Sequence, residues 1–171
     1  WRMPVTAYPD LVAVGGTRSS TQLGPAGSDR FDGVPHGGAY TTAELRALVD
    51  YAAERGVRIV PEIDLPGHAR AALAAYPWLG NHPERRLPVW TELGVSEAVF
   101  GVHDEVFDFL HTVLGEVMDV FPGEHVHIGG DEVPVTEWAA SPRARERIAR
   151  EGLAGPHALR AWFLGRIGEF L

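Results

Sequence analysis

The run His125-Val126-His127-Ile128-Gly129-Gly130-Asp131-Glu132-Val133 holds the residues best suited to chemistry, an apolar stretch that ends in two glycines and two adjacent carboxylates. In a regular strand Asp131 and Glu132 would project to opposite faces. Both can serve one pocket only if the strand stops there, and Gly129 and Gly130 let the backbone leave the pleat at that point. Carboxylates paired at a strand end suit glycosidic bond cleavage, in which one of them must stay protonated to act as the acid. The chemistry suggested is carbohydrate hydrolysis.

A second group of titratable residues precedes this run. Residues 57–64 read as a strand, and Leu65-Pro66-Gly67-His68 as the turn that leaves it. Glu62 and Asp64 share a strand parity, from which they could position His68 or arginine side chains or form buried ion pairs. A functional role is the favoured reading of His68, the alternative being a turn histidine satisfied by backbone groups. His125, His127 and Asp131 also share a parity, and His-x-His on a strand can hold a divalent metal. That pattern supplies an alternative, a metal-dependent barrel hydrolase; otherwise His127 hydrogen-bonds within the fold and supports the acidic pair. Trp90 and Trp138 fall in loops after strands, where stacking on sugar faces would be useful, although packing into the core is the commoner fate.

The elements that must position these groups alternate. Residues 1–40 are rich in Gly, Pro, Ser and Asp, and read as a long loop. Thr41 or Thr42 then caps a helix with Glu44 in its first turn and Leu45, Leu48, Val49 and Ala52 at helical spacing, stopped by Gly56. Residues 69–77 are alanine-rich and helical in pattern. From 103 to 121, Val106, Phe107, Leu110, Val113, Leu114, Val117 and Val120 form a helical stripe ending at Pro122-Gly123. The strand at 124–131 follows, then helical patterns at 142–151 and 156–171. Helices between strands imply parallel strands and an α/β class. Chemistry at two strand ends favours a barrel over a doubly wound sheet, which shares the alternation.

Composition narrows the classes further. A chain of 171 residues with 45% hydrophobic and 22% charged residues is ordinary for a folded protein large enough to bury a core. The net charge of −8 argues against nucleic acid or an anionic membrane as the main partner. No apolar run approaches the ~18 residues of a membrane-spanning helix. Cysteine is absent, which removes disulfides, thiolate metal sites and thiol nucleophiles. All 15 basic residues are arginine, so lysine Schiff bases and a P-loop are excluded within these residues.

Taken together, Pro61-Glu62-Ile63-Asp64-Leu65-Pro66-Gly67-His68 and His127-Ile128-Gly129-Gly130-Asp131-Glu132 resemble, in order and separation, the two internal signatures of glycoside hydrolase family 20 β-N-acetylhexosaminidases. Trp1-Arg2, the lead Gly37-Gly38-Ala39-Tyr40-Thr41 and the helix from Phe107 to Pro122 resemble further pieces of that family. The resemblance implies a (β/α)8 TIM barrel, of which residues 1–171 form a partial catalytic domain truncated at both ends. They would supply the third and fourth strands with flanking helices, and alone would be inactive. It implies that Glu132 is the general acid and later base, that Asp131 is its partner carboxylate, and that His68 lies beside the acid; Asp64, Glu62 and His127 are expected to bind or support. The family ties that histidine to an aspartate which here would precede Trp1. The implied reaction is retaining removal of terminal β-linked N-acetylhexosamine, assisted by the substrate's own 2-acetamido group. It needs no metal or organic cofactor, and its partner is an N-acetylhexosamine-containing oligosaccharide or glycoconjugate, chitin fragments among them. The alternative from another class is a non-catalytic carbohydrate-binding barrel, against which the intact Asp131-Glu132 pair argues. Preference between GlcNAc and GalNAc, oligomeric state and compartment are not legible.

Overall fold

The computed structural model describes residues 1–171. Residues 1–40 are largely irregular, as expected, but contain a four-residue helix α1 (Asp10–Ala13) and a two-residue antiparallel ladder of β1 (Thr17–Arg18) with β2 (His36–Gly37). Helix α2 (Thr42–Ala53) starts at a capping box: the Thr41 hydroxyl accepts the Glu44 N–H at 3.1 Å, and the Glu44 carboxylate accepts the Thr41 N–H at 2.7 Å. The Thr41 N–H and the Thr41 hydroxyl, both donating to it, hold the Glu44 carboxyl below its ordinary range. Leu45 and Ala52 of its apolar face are buried, whereas Leu48 is exposed.

The core is organised on helix α4 (Asp104–Val120). Every residue of its expected stripe is buried, together with Phe109, in one cluster of 26 side chains. Helix α3 (Arg70–Ala75) and a 3₁₀ turn (Pro77–Leu79) pack Ala72, Leu73 and Leu79 into the same core. On the other flank α7 (Pro156–Phe170) contributes Leu159, Phe163 and Ile167, with the Phe163 ring 4.9 Å from that of Phe107. Helix α6 (Pro142–Arg150) carries the buried Arg147, whose guanidinium meets Val102 O at 3.2 Å, Glu151 at 3.2 Å and Asp104, so that burial leaves no donor face empty. No helix is long and apolar enough to cross a membrane.

Two expectations change. The strands foreseen at 57–64 and 124–131 do run parallel and side by side, but they are joined over a short stretch only, with Glu62 paired to His127. His127 N–H donates to Pro61 O at 2.9 Å, and Ile63 N–H to His127 O at 3.0 Å. One parallel repeat earlier the donor would be the N–H of residue 61, which proline lacks; one repeat later the chain turns at Gly129, with φ +63°. Both ends of the ladder are thus set by residue type.

The placement of Trp138 is the second change: a helix stands where a loop is expected, while its burial agrees with the commoner fate of such a residue. Trp138 lies in the short helix α5 (Thr136–Ala140), is fully buried, and donates its indole N–H to Phe100 O at 2.8 Å. It is a core residue and offers no face to a sugar. Trp138→Phe is expected to lower unfolding stability by about 1–3 kcal/mol, the cost of leaving a buried polar group unpaired, as read by a chemical denaturation midpoint.

Candidate active site

The site forms where the two parallel segments stop. Leu65 N–H still bonds across to Ile128 O at 3.1 Å, and beyond that point both chains turn outward. His68 and Glu132 are the chain's only non-glycine residues with positive φ, at +49° and +45°. Their side chains meet, with His68 Nε2 3.2 Å from Glu132 Oε2. Left-handed backbone costs an L-residue roughly 1–2 kcal/mol. The His68 and Glu132 side chains are 35% and 59% exposed, so their contact returns at most ~1 kcal/mol. The strain is therefore held by the surrounding fold and not repaid by the pair itself, which is the usual mark of a functional position.

Asp64 and the glycines impose that geometry. Asp64 Oδ1 accepts the Gly130 N–H at 3.2 Å across the two segments. A Cβ at Gly129 would lie 1.8 Å from the same oxygen, so only glycine lets the Asp64 carboxylate sit against the turn. Gly130, at φ +102°, is held on its other side by Leu164 of α7, 2.8 Å from where a Cβ would be. The turn before Asp131 and Glu132 is thus gripped from two directions.

Glu62 and His127, paired in the parallel register, also pair through their side chains, with His127 Nδ1 2.9 Å from Glu62 Oε1. Gly129 N–H also comes within 3.2 Å of this nitrogen. One ring nitrogen cannot both donate and accept in these bonds; the shorter contact, to a carboxylate, takes the proton. Both side chains of this contact are more than half exposed. Of the roles open to Glu62 and Asp64, the hydrogen bonds favour pairing within the fold: Glu62 pairs with His127, and Asp64 accepts a backbone N–H of the turn. Asp131 is exposed beside Glu132. A cleft of about 400 Å³ is lined by Glu62, Asp64 and His68 together with Trp1, Arg2 and Tyr40.

His125, His127 and Asp131 do not converge, and no three His or acidic side chains of the chain are placed to hold a metal ion together. The metal-dependent alternative loses its ligand set. One feature escaped the sequence reading altogether. Arg70, in an alanine-rich stretch, donates to Pro88 O at 2.8 Å and to the Ser96 hydroxyl at 3.2 Å, and lies over the Trp90 ring at 4.9 Å from its centroid. Burial lowers its pKa. Nothing in the local pattern marks Arg70, because its partners lie 18 or more residues away.

Two adjacent carboxylates and a histidine thus stand together where two parallel segments end, on a mixed helix and strand frame. All residues 1–171 match the model of glycosyl hydrolase family 20, catalytic domain, and the chain belongs to that family. It is 39% identical over 174 residues to a beta-hexosaminidase of Porphyromonas gingivalis, matching 100% of this chain and 21% of that protein. A beta-hexosaminidase of Akkermansia muciniphila is 42% identical over 154 residues, covering 90% of this chain and 30% of the relative. Among solved structures, a beta-N-acetylhexosaminidase superposes with a TM-score of 0.88 at 37% identity, over 99% of this chain and 35% of that one. The GH20 exo β-N-acetylglucosaminidase of Vibrio harveyi, in complex with N-acetylglucosamine, superposes with a TM-score of 0.80 at 29% identity, over 99% and 27%. The chain thus spans between a fifth and about a third of the length of these relatives. Catalytic domains of the family are TIM barrels, and the mixed helix and strand structure here accords with that class.

The Asp64–Gly129 packing gives a direct test. Gly129→Ala should cost about 2–4 kcal/mol, combining left-handed strain with displacement of the carboxylate. Adding Asp64→Gly removes the overlapping atoms, so the double variant should lose less stability than the sum of the two single losses. Additive losses in denaturant unfolding of the full-length protein would contradict the packing.

Proposed function

We propose that residues 1–171 supply the third and fourth strands of a (β/α)8 catalytic barrel, and that the whole protein is a retaining glycosidase releasing terminal β-linked N-acetylhexosamine. The observation that carries this reading is the His68–Glu132 contact between two strained strand ends, which presents a carboxyl group beside a histidine with Asp131 next to it. The names of the relatives, and the N-acetylglucosamine bound by the Vibrio harveyi protein, support the sugar class.

In this reading the substrate provides its own nucleophile. The carbonyl oxygen of the 2-acetamido group attacks the anomeric carbon while the glycosidic C–O bond breaks. Its electron pair goes to the leaving oxygen, which takes the proton of Glu132. The product of this step is a cyclic oxazolinium, and positive charge develops on the acetamido nitrogen. Asp131 accepts the hydrogen bond of that N–H, which orients the group and stabilises the charge. Water then attacks the anomeric carbon, the C–O bond to the acetamido oxygen breaks, and the Glu132 carboxylate takes the water proton. Two inversions leave the configuration retained. His68 keeps Glu132 aimed at the leaving oxygen. Glu62, Asp64 and His127 act on the backbone turn and not on the sugar.

Paired aryl glycosides and two variants of the full-length protein test these roles together. Turnover of the 2-acetamido sugar and none of the matching glucoside is expected, because only the former carries the internal nucleophile. Glu132→Gln should lose at least about 100-fold on poor leaving groups and much less on highly acidic ones. Asp131→Asn should impair both, since the acetamido group must be held whatever departs. Equal rates on the two sugars, or the same leaving-group dependence in both variants, would contradict the mechanism. Binding of the sugar without turnover would favour a carbohydrate-binding barrel.

A further inference from the structure

Residues 98–102 form a short irregular segment that is buried along its whole length. Backbone of this kind has no helix or long ladder to absorb its polar groups, so each must find a partner singly. Three of its carbonyls are met by side chains: Val99 O by the Asn81 amide at 3.1 Å, Phe100 O by the Trp138 indole N–H at 2.8 Å, and Val102 O by Arg147 Nε at 3.2 Å. Two of its N–H groups are spent on other segments. Gly101 N–H donates to Leu79 O at 2.7 Å, and Phe100 N–H donates to Pro66 O at 3.0 Å.

The bond to Pro66 reaches the active site. It is the one backbone–backbone hydrogen bond made by residues 66–68, and so the only such tether of the turn in which His68 adopts φ +49°. The turn also lies directly against the acid: a Cβ on Gly67 would be 3.4 Å from Glu132 O and 3.7 Å from Asp131 O. A shift at Pro66 therefore changes how His68 meets Glu132.

Phe100 is in turn fixed by Trp138. That residue stands six positions beyond Glu132, is fully buried, and has the Phe163 ring of α7 at 6.2 Å. Its side chain has a single donor, which Phe100 O takes. The two strained turns are thus joined twice, once by the partly exposed His68–Glu132 contact and once by buried hydrogen bonds through Phe100. Without the indole N–H, Phe100 O is left unpaired in the core, a state relieved by moving the segment toward another donor, and the Phe100 N–H moves with it. We propose that Trp138 is a positioning residue for His68, acting through Phe100 and Pro66. This rests on the hydrolase reading above, in which His68 keeps Glu132 aimed at the leaving oxygen.

The test uses the full-length protein, aryl N-acetylglucosaminides of graded leaving-group acidity, and two replacements of Trp138. Trp138→Phe removes the donor and part of the ring. The benzothiophene analogue of tryptophan at the same position removes the donor alone, and serves if Trp138→Phe fails to fold. Each should steepen the dependence of kcat/KM on leaving-group acidity, losing about tenfold on the least acidic leaving groups and less than about twofold on the most acidic. In a His68→Asn background neither should steepen it further, because the route to Glu132 is already cut. Val113→Ala, a core change on α4 outside this relay, should lower stability and leave the slope as it is. Uniform loss, no loss, equal steepening in the His68→Asn background, or steepening by Val113→Ala would each overturn the proposal. The imidazole NMR signals of His68, identified by their loss in His68→Asn, give a reading that needs no turnover. Both replacements should shift them, and unshifted signals would overturn the proposal whatever the slope. Protein that hydrolyses none of the glycosides would overturn the hydrolase reading instead, and the His68 signals would then still decide whether Trp138 sets that turn.

Discussion

His68 and Glu132 lie 64 positions apart in the chain, and their side chains meet because two parallel segments leave the extended conformation almost together. Each residue adopts a left-handed backbone that its side chain disfavours. Much of the rest of the structure can be understood as what maintains that pair of turns. The ladder between Pro61 and Ile128 sets the segments side by side, Asp64 takes the Gly130 N–H, and Leu164 closes the other flank of the turn. Behind them α4 and α7 supply a rigid core, without which a partly exposed contact of this kind could not hold two strained residues.

The same constraint organises the electrostatics. Glu62 and His127 pair with each other directly behind the acidic pair, so neither competes with His68 for Glu132. Asp64 is committed to a backbone N–H, which fixes its carboxylate toward the turn. Asp131 and Glu132 are exposed at the end of the turn. Farther out, the half-buried Arg70 and the buried Glu137 hold one long loop through its Pro88 and Arg85.

Local signals in the sequence were legible where a few residues decide the outcome. The Thr41–Glu44 capping box, the α4 stripe and the Gly129-Gly130 stop all appear as read, because capping chemistry, helical periodicity and glycine freedom act over less than a few turns. The proximity of His68 to Glu132 was implied by the family resemblance of the two motifs, not by the residues alone. Strand length was misjudged, since β-propensity at 57–64 says nothing of the N–H that Pro61 lacks at a ladder position. Parity leaves the partners of Glu62 and Asp64 open, because it gives the face of a side chain but not the register across which it finds a neighbour. Trp138 and Arg70 were opaque for a related reason: their roles are fixed by Phe100, Pro88 and Ser96, which the fold alone brings near.

The central claim is that the His68–Glu132 contact aims the proton donor at the leaving oxygen. It is tested most directly by the dependence of kcat/KM on leaving-group acidity in full-length His68→Asn compared with the natural protein. If His68 positions Glu132, the variant should show a steeper dependence, losing most on poorly acidic leaving groups and least on activated aryl glycosides. An unchanged slope with uniform loss, or no loss at all, would show that the contact does not serve proton transfer.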